Sequence, residues 1–192
     1  AHTLEFKTMS DKNFKATAAK GVQAVKPVYW AQCQVGMHLA GLDRCVFLAV
    51  NKNDDSIYME RIKLDPAEGI KLIAKAESII FSDKPPAKLS EDPSFFGCKF
   101  CDFKDVCHNG KPPEVNCRTC AHSTPERTGD GLWSCALGRA MQTCQDHLYN
   151  PYGMPWEIAD AGSDWVEYTT EHGEVVRNQG NSEEISKGWI PF

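Results

Sequence analysis

Residues 4–9 read LEFKTM. Apolar and charged positions alternate, which is the period of a strand with one face buried and one face open. Glu5 and Lys7 are two residues apart, so they share a face. A carboxylate beside an ammonium on an otherwise apolar strand is either a surface ion pair or part of a site. The segments that follow decide which.

Asp11–Lys20 is expected to be a short helix. Pro27 sits near the start of a second helix reaching about Leu42, with Tyr29, Trp30, Cys33, Met37 and Ala40 at near-helical spacing and Gly41 as its stop. The continuous apolar run Cys45–Val50 predicts a buried strand. Asn53-Asp54-Asp55 then marks a turn, and Ser56–Leu64 alternates as the second strand of a hairpin. Pro66 opens another helix, whose apolar face is Ile70, Leu72, Ile73, Ala76 and Ile79. The expected class is α/β, a mixed sheet flanked by helices over residues 1–82. A linker over 83–97 and a cysteine-rich region over 98–147 follow. The acidic, aromatic tail over 148–192 is expected to hold a small hairpin around Gly173, with Trp156, Trp165 and Trp189 packing about it.

The composition is 42% apolar and 24% charged, as in ordinary globular chains. No apolar run is long enough for a membrane span, and the first residues lack the apolar core of a signal peptide, so no membrane partner is expected. The net charge of −5 is unevenly spread. Residues 151–192 hold eight acids against Arg177 and Lys187, which is −6. Residues 1–30 hold five lysines against Glu5 and Asp11, which is +3. An acidic tail therefore masks a basic front end that permits nucleic-acid binding.

Seven of the nine cysteines lie between 98 and 144. In a chain without a secretory signal this density points to metal in a reducing compartment rather than to disulfides. Cys117-x2-Cys120 puts two thiolates on one tight turn, and Cys135 and Cys144 complete a four-cysteine zinc set of ribbon type. His147 or His122 is the alternative to one of these ligands. Cys98, Cys101 and Cys107 form a second set. His108 or His122 completes it for zinc, or the three hold an iron–sulfur cluster whose fourth cysteine lies elsewhere. Cys33 and Cys45 fall in apolar patterns and read as core.

Together these segments resemble a known group. Glu5-Phe6-Lys7 on a strand resembles the E-x-K half of the PD-(D/E)XK nuclease motif. PVYWAQCQVGM is similar to the Q-x-x-x-Y helix of RecB-like and phage exonucleases, and the hairpin CVFLAVNKNDDSIYMERI comes next, as it does there. Cys98-x2-Cys101-x5-Cys107 resembles the cysteine triplet of RecB-like nucleases with iron–sulfur clusters, including the CRISPR-adaptation exonucleases. NCRTCAHSTPERTGDGLWSC resembles the zinc-binding tail of phage-encoded members.

The resemblance spans residues 1–147 and implies a partial PD-(D/E)XK core carrying a zinc-binding region and a hairpin tail. It implies a phage-type DNA exonuclease, in the cytoplasm of an infected bacterium, acting in DNA processing or recombination. Glu5 would hold Mg²⁺ or Mn²⁺ beside the scissile phosphate, because a hard cation takes carboxylate oxygens. Lys7 would orient the water and stabilise developing charge. Gln32 would position the lysine or a phosphate, with Gln34 as its competitor, and Lys12, Lys15 and Lys20 would meet the DNA backbone.

Two positions depart from the pattern. None of the four residues before Glu5 is acidic, although the group carries an aspartate on a neighbouring strand. Gly36 stands where the tyrosine of Q-x-x-x-Y would be. The resemblance thus implies the C-terminal part of a larger nuclease, itself nearly inactive. The alternative is a catalytically inactive, nuclease-derived zinc module that binds DNA or inhibits a partner nuclease or host defence complex; a recombination protein or a host nuclease complex is the protein partner the resemblance implies.

Overall fold

The computed structural model describes residues 1–128, 131–139, 145–163 and 165–178. Two compact units divide the chain, Ala1–Ser78 and Ile79–Phe192.

The first unit follows the expected α/β order, with one short helix over Val22–Val25 added between the two expected helices. Strand β1 (Thr3–Met9) leads through helices α1 (Asp11–Lys20), α2 (Val22–Val25) and α3 (Pro27–Ala40) to β2 (Arg44–Asn51), then β3 (Ile57–Lys63) and helix α4 (Pro66–Ile80). The sheet order is β1-β2-β3. Strands β1 and β2 are parallel, as a helical crossover requires, and β2 and β3 are an antiparallel hairpin. Local chemistry sets the breaks. Pro27 is placed where its missing N–H costs nothing. Gly41 closes α3 at φ 63°, its N–H on the His38 carbonyl while the Leu42 N–H reaches Met37, a Schellman end. In the hairpin turn Asp55 takes φ 58°, and Asp54 Oδ1 accepts from the Ser56 N–H at 3.0 Å.

One face of the sheet meets the helices. Its core is Met9, Phe14, Val22, Cys33, Met37, Cys45, Phe47, Ala49 and Ile62, bordered by Tyr29 and Trp30. The strand alternation runs against the simple expectation for β1. Glu5 and Lys7 lie on this helix-covered face with Met9, while Leu4 and Phe6 look outward, each 61% exposed. In register with them on the outer face stand Val46 and Leu48 of β2, and Arg61 and Met59 of β3.

The second unit carries less regular structure. Short helices α5 (Phe96–Lys99) and α6 (Lys104–His108) precede a 3₁₀ turn at Cys117–Thr119 and the hairpin of β4 (Ser123–Pro125) and β5 (Trp133–Cys135). Strands β6 (Glu157–Ala161), β7 (Val166–Thr169) and β8 (Val175–Asn178) form an antiparallel sheet. The expected hairpin around Gly173 is β7–β8, and β6 widens it to three strands.

This unit's core is Tyr149, Met154 and Tyr168, with Val115, Trp156 and Val166 against it. Asn178 is buried and acts as a side-chain strand partner: its amide donates to the Tyr149 carbonyl at 2.9 Å and accepts from the Tyr149 N–H at 3.3 Å. Tyr149 Oη donates to the Pro113 carbonyl at 2.9 Å. The tail and the cysteine region therefore share one core. Trp156 packs edge-on to Tyr168, and the Arg177 guanidinium covers Trp165 at 4.3 Å. Trp189 lies outside the described residues. Among the described residues no helix is long and apolar enough to cross a membrane.

Candidate active site and cysteine region

Strand β1 aims Glu5 and Lys7 at α3, and α3 answers with Tyr29 and Gln32, three residues apart and so on one helix face. Lys7 Nζ lies 2.6 Å from Glu5 Oε1. Gln32 Nε2 donates to Glu5 Oε2 at 3.1 Å. The Lys7 ammonium also sits 4.8 Å from the centre of the Tyr29 ring, a cation–π contact that fixes the lysine from its other side. Tyr29 in turn stacks on the buried Phe47 at 6.3 Å. The carboxylate and the ammonium keep 19% and 23% of their side-chain surface accessible. The group is held from both elements yet still partly open to solvent.

The structure separates the two candidate glutamines. Gln32 is exposed and reaches Glu5. Gln34 is fully buried: it donates to the Lys63 carbonyl at 3.0 Å and accepts from the Asp65 N–H at 2.8 Å. Gln34 therefore ties α3 to the link between β3 and α4. His38 lies against α4, where Gly69 admits its imidazole; a Cβ there would stand 3.1 Å from His38 Nδ1.

Sequence reasoning passed over a second carboxylate on the same sheet face. The pairing Glu5↔Phe47↔Glu60 puts Glu60 on the strand beyond Phe47. Two strand spacings separate them, about 10 Å. Glu60 accepts from the Val22 N–H and from Tyr58 Oη, both at 2.8 Å, so it anchors the start of α2. The signal for it was the alternation of β3, which gives Tyr58 and Glu60 one face. The signal for Tyr29 was its place one turn before Gln32.

The three lysines of α1 differ. Lys15 pairs with Asp11 at 2.8 Å, and Asn51 Nδ2 donates to the same carboxylate at 3.0 Å. These contacts hold Asp11 below the usual carboxylate range, and the pairing raises Lys15. Lys12 and Lys20 are exposed. Cys33 and Cys45 are buried in the core as neighbours, and burial first, then Cys45, pushes the Cys33 thiol up to about 12.

Against the requirements of a hard divalent cation, the donor set is short. Glu5 contributes one carboxylate, and Lys7 and Gln32 occupy one oxygen each. Among the described residues no three of His, Cys, Asp and Glu gather into a group that could hold a metal. No catalytic step through Mg²⁺ follows from these residues alone.

In the cysteine region, Cys117 and Cys120 bracket the 3₁₀ turn. Asn116 caps that turn by accepting from the Arg118 N–H at 2.9 Å. Cys135 pairs with Ser123 across β4–β5, three residues beyond Cys120. The Ala136 N–H donates to the His122 carbonyl at 2.9 Å. His147 is buried with Nε2 3.2 Å from Thr119 Oγ1 and 3.1 Å from the Asn116 carbonyl, and burial lowers its pKa. Cys144 lies outside the described residues. Of the other set, Cys98 is buried on α5, Cys101 is exposed, and Cys107 is exposed beside His108 on α6. Among the described residues, no three donors of either set gather into a group that could hold a metal.

No family model matches the chain, and neither a curated protein nor a solved structure is significantly similar to it.

Proposed function

We propose that residues 1–78 are the phosphate-facing part of a metal-dependent DNA exonuclease of RecB-like or phage type, serving DNA processing or recombination. The observation that carries this reading is the meeting of Glu5, Lys7 and Gln32 from two elements, with Gln32 twenty-seven residues beyond Glu5 in sequence. A surface ion pair needs no glutamine on the second carboxylate oxygen and no ring beneath the lysine. Lys7 is placed to contact a phosphoryl oxygen and to steady negative charge as it develops. Gln32 holds the Glu5 carboxylate in one orientation. When bound, Mg²⁺ or Mn²⁺ would polarise the phosphate and activate water. Glu5 is this chain's contribution to that ion, and a further carboxylate beside β1 is needed to complete it.

A second reading is favoured by that single carboxylate and by Gly36: a catalytically inactive, nuclease-derived module that binds DNA or restrains a partner nuclease. The test is end-labelled DNA incubated with the protein and Mn²⁺. Slow cleavage that is lost in E5A and in K7A supports the first reading. Cleavage equal in all three proteins overturns it. DNA that is bound but never cut, with affinity lost in K7A, selects the second.

In the second unit we propose zinc at Cys117, Cys120, Cys135 and Cys144. Cys98, Cys101 and Cys107 are proposed to hold either a second zinc with His108 or an iron–sulfur cluster. Among the described residues this unit's core centres on Tyr149, Met154 and Tyr168, and bound metal would add folding free energy to it. Elemental analysis and a visible spectrum of anaerobically purified protein separate these cases. Two zinc per chain without colour supports the pair of zinc sites; iron with a brown spectrum places the cluster.

A further inference from the structure

Residues 95–104 read FFGCKFCDFK. Phe96 opens α5, Phe100 directly follows its last residue, and Phe103 directly precedes α6. Here they expose 80%, 73% and 70% of their surface, while Cys98 turns inward. A phenylalanine has no polar tip, so three open rings are costly to hydrate and mark a binding surface. Phe96 and Phe100 meet edge to face, with centroids 6.0 Å apart and planes at 73°. Lys99 Nζ stands 5.5 Å from the Phe100 centroid, and Lys104 follows Phe103 directly. Over residues 95–111, three lysines outnumber Asp102 and Asp105, and Asn109 Nδ2 occupies Asp105 at 2.7 Å.

Open ring faces alternating with ammonium groups suit one kind of occupant. Unpaired bases stack on the rings, and the phosphates between them meet the lysines. A duplex hides its base faces and offers such rings nothing to stack on. We propose that Phe96, Phe100 and Phe103, with Lys99 and Lys104, form a stacking platform for single-stranded DNA. The platform stands on the second unit alone; the choice of DNA over RNA rests on the nuclease reading above.

The test is fluorescence anisotropy of the full chain with a labelled oligothymidylate and with a blunt duplex of equal length, without added divalent cation. The single strand is expected to bind tighter. The F96A/F100A variant weakens single-strand binding by roughly tenfold or more, the size of a lost base–aromatic stack. F96W/F100W restores it. K99Q/K104Q weakens binding and flattens its salt dependence. Because the rings are exposed, circular dichroism and melting of F96A/F100A match the parent.

Equal affinity in the parent and F96A/F100A overturns the platform, as does a preference for the duplex or no binding at all. A lower mass by light scattering in F96A/F100A, with DNA affinity unchanged, also overturns it and reassigns the rings to a protein contact. Cleavage by E5A and K7A is a separate readout, so this proposal and the nuclease reading fail independently.

Discussion

Gln32 Nε2 donates to Glu5 Oε2 at 3.1 Å, while Lys7 takes the other carboxylate oxygen at 2.6 Å. Two residues along the helix, Gln34 points the other way and is sealed inside. The pair sets up a direct experiment. Q32A is exposed and should change stability by no more than about 0.5 kcal/mol. Q34A empties a fully buried site and removes the side-chain partner of the Lys63 carbonyl and the Asp65 N–H, and should cost roughly 1–3 kcal/mol. Urea denaturation reads both. Under the proposed nuclease reading, Q32A and not Q34A lowers DNA cleavage once both are compared at full folding.

Gly36 lies in the middle of α3, and a Cβ built there meets nothing within 4 Å. Its only contribution to stability is a flexible backbone that must be ordered on folding. G36A should therefore stabilise the first unit by about 0.5–1 kcal/mol. For a unit of this size each kcal/mol raises the melting temperature by roughly 4–8 °C, which thermal unfolding resolves. A lower melting temperature would show that the position is crowded. G36Y should fold as well, and under the proposed nuclease reading it tests whether a tyrosine one turn beyond Gln32 improves cleavage.

The Cys33 thiol is pushed up from 9.0 to about 12, by burial first and by Cys45 second. Above pH 9 the unfolded chain gives up this proton while the folded chain keeps it, so unfolding releases a proton. Stability of the first unit is full below that pH and falls as pH rises toward 12. Tyr58, raised from 10.0 to about 12 by burial and then by its bond to Glu60, acts in the same direction higher in the window. Urea midpoints taken on both sides of pH 9 should show the decline, and C33A should delay its onset.

Thiol reactivity should sort the cysteines by environment. The thiolate is the reactive form; burial keeps the Cys33 thiol protonated, and Cys45 is buried beside it. Cys101 and Cys107 are exposed. In metal-free native protein, iodoacetamide should modify Cys101 and Cys107 first and spare Cys33 and Cys45 until urea is added. Mass spectrometry of peptides checks this; native modification of Cys33 at the rate of Cys101 would contradict the core assignment.

The α/β order of residues 1–80, including the Asp54–Asp55 turn and the Gly41 stop, was written locally, in periodicity, in the prolines and in residues that tolerate positive φ. So was the placement of Glu5 and Lys7 on one face, because the pleat of a strand admits no other outcome. Which face of β1 meets the helices was not legible. Glu5 and Lys7 are charged, Leu4 and Phe6 are apolar, and burial of the charged pair depends on Gln32 and Tyr29 arriving from α3 to satisfy it. The same holds for Gln32 against Gln34. Both are glutamines on one helix, and only the packing of α3 between β1 and the β3–α4 link separates a group that orients a carboxylate from one that closes the core. Local chemistry determines the elements; which polar groups face one another depends on pairings between residues far apart in sequence, and those exist only once the chain has folded.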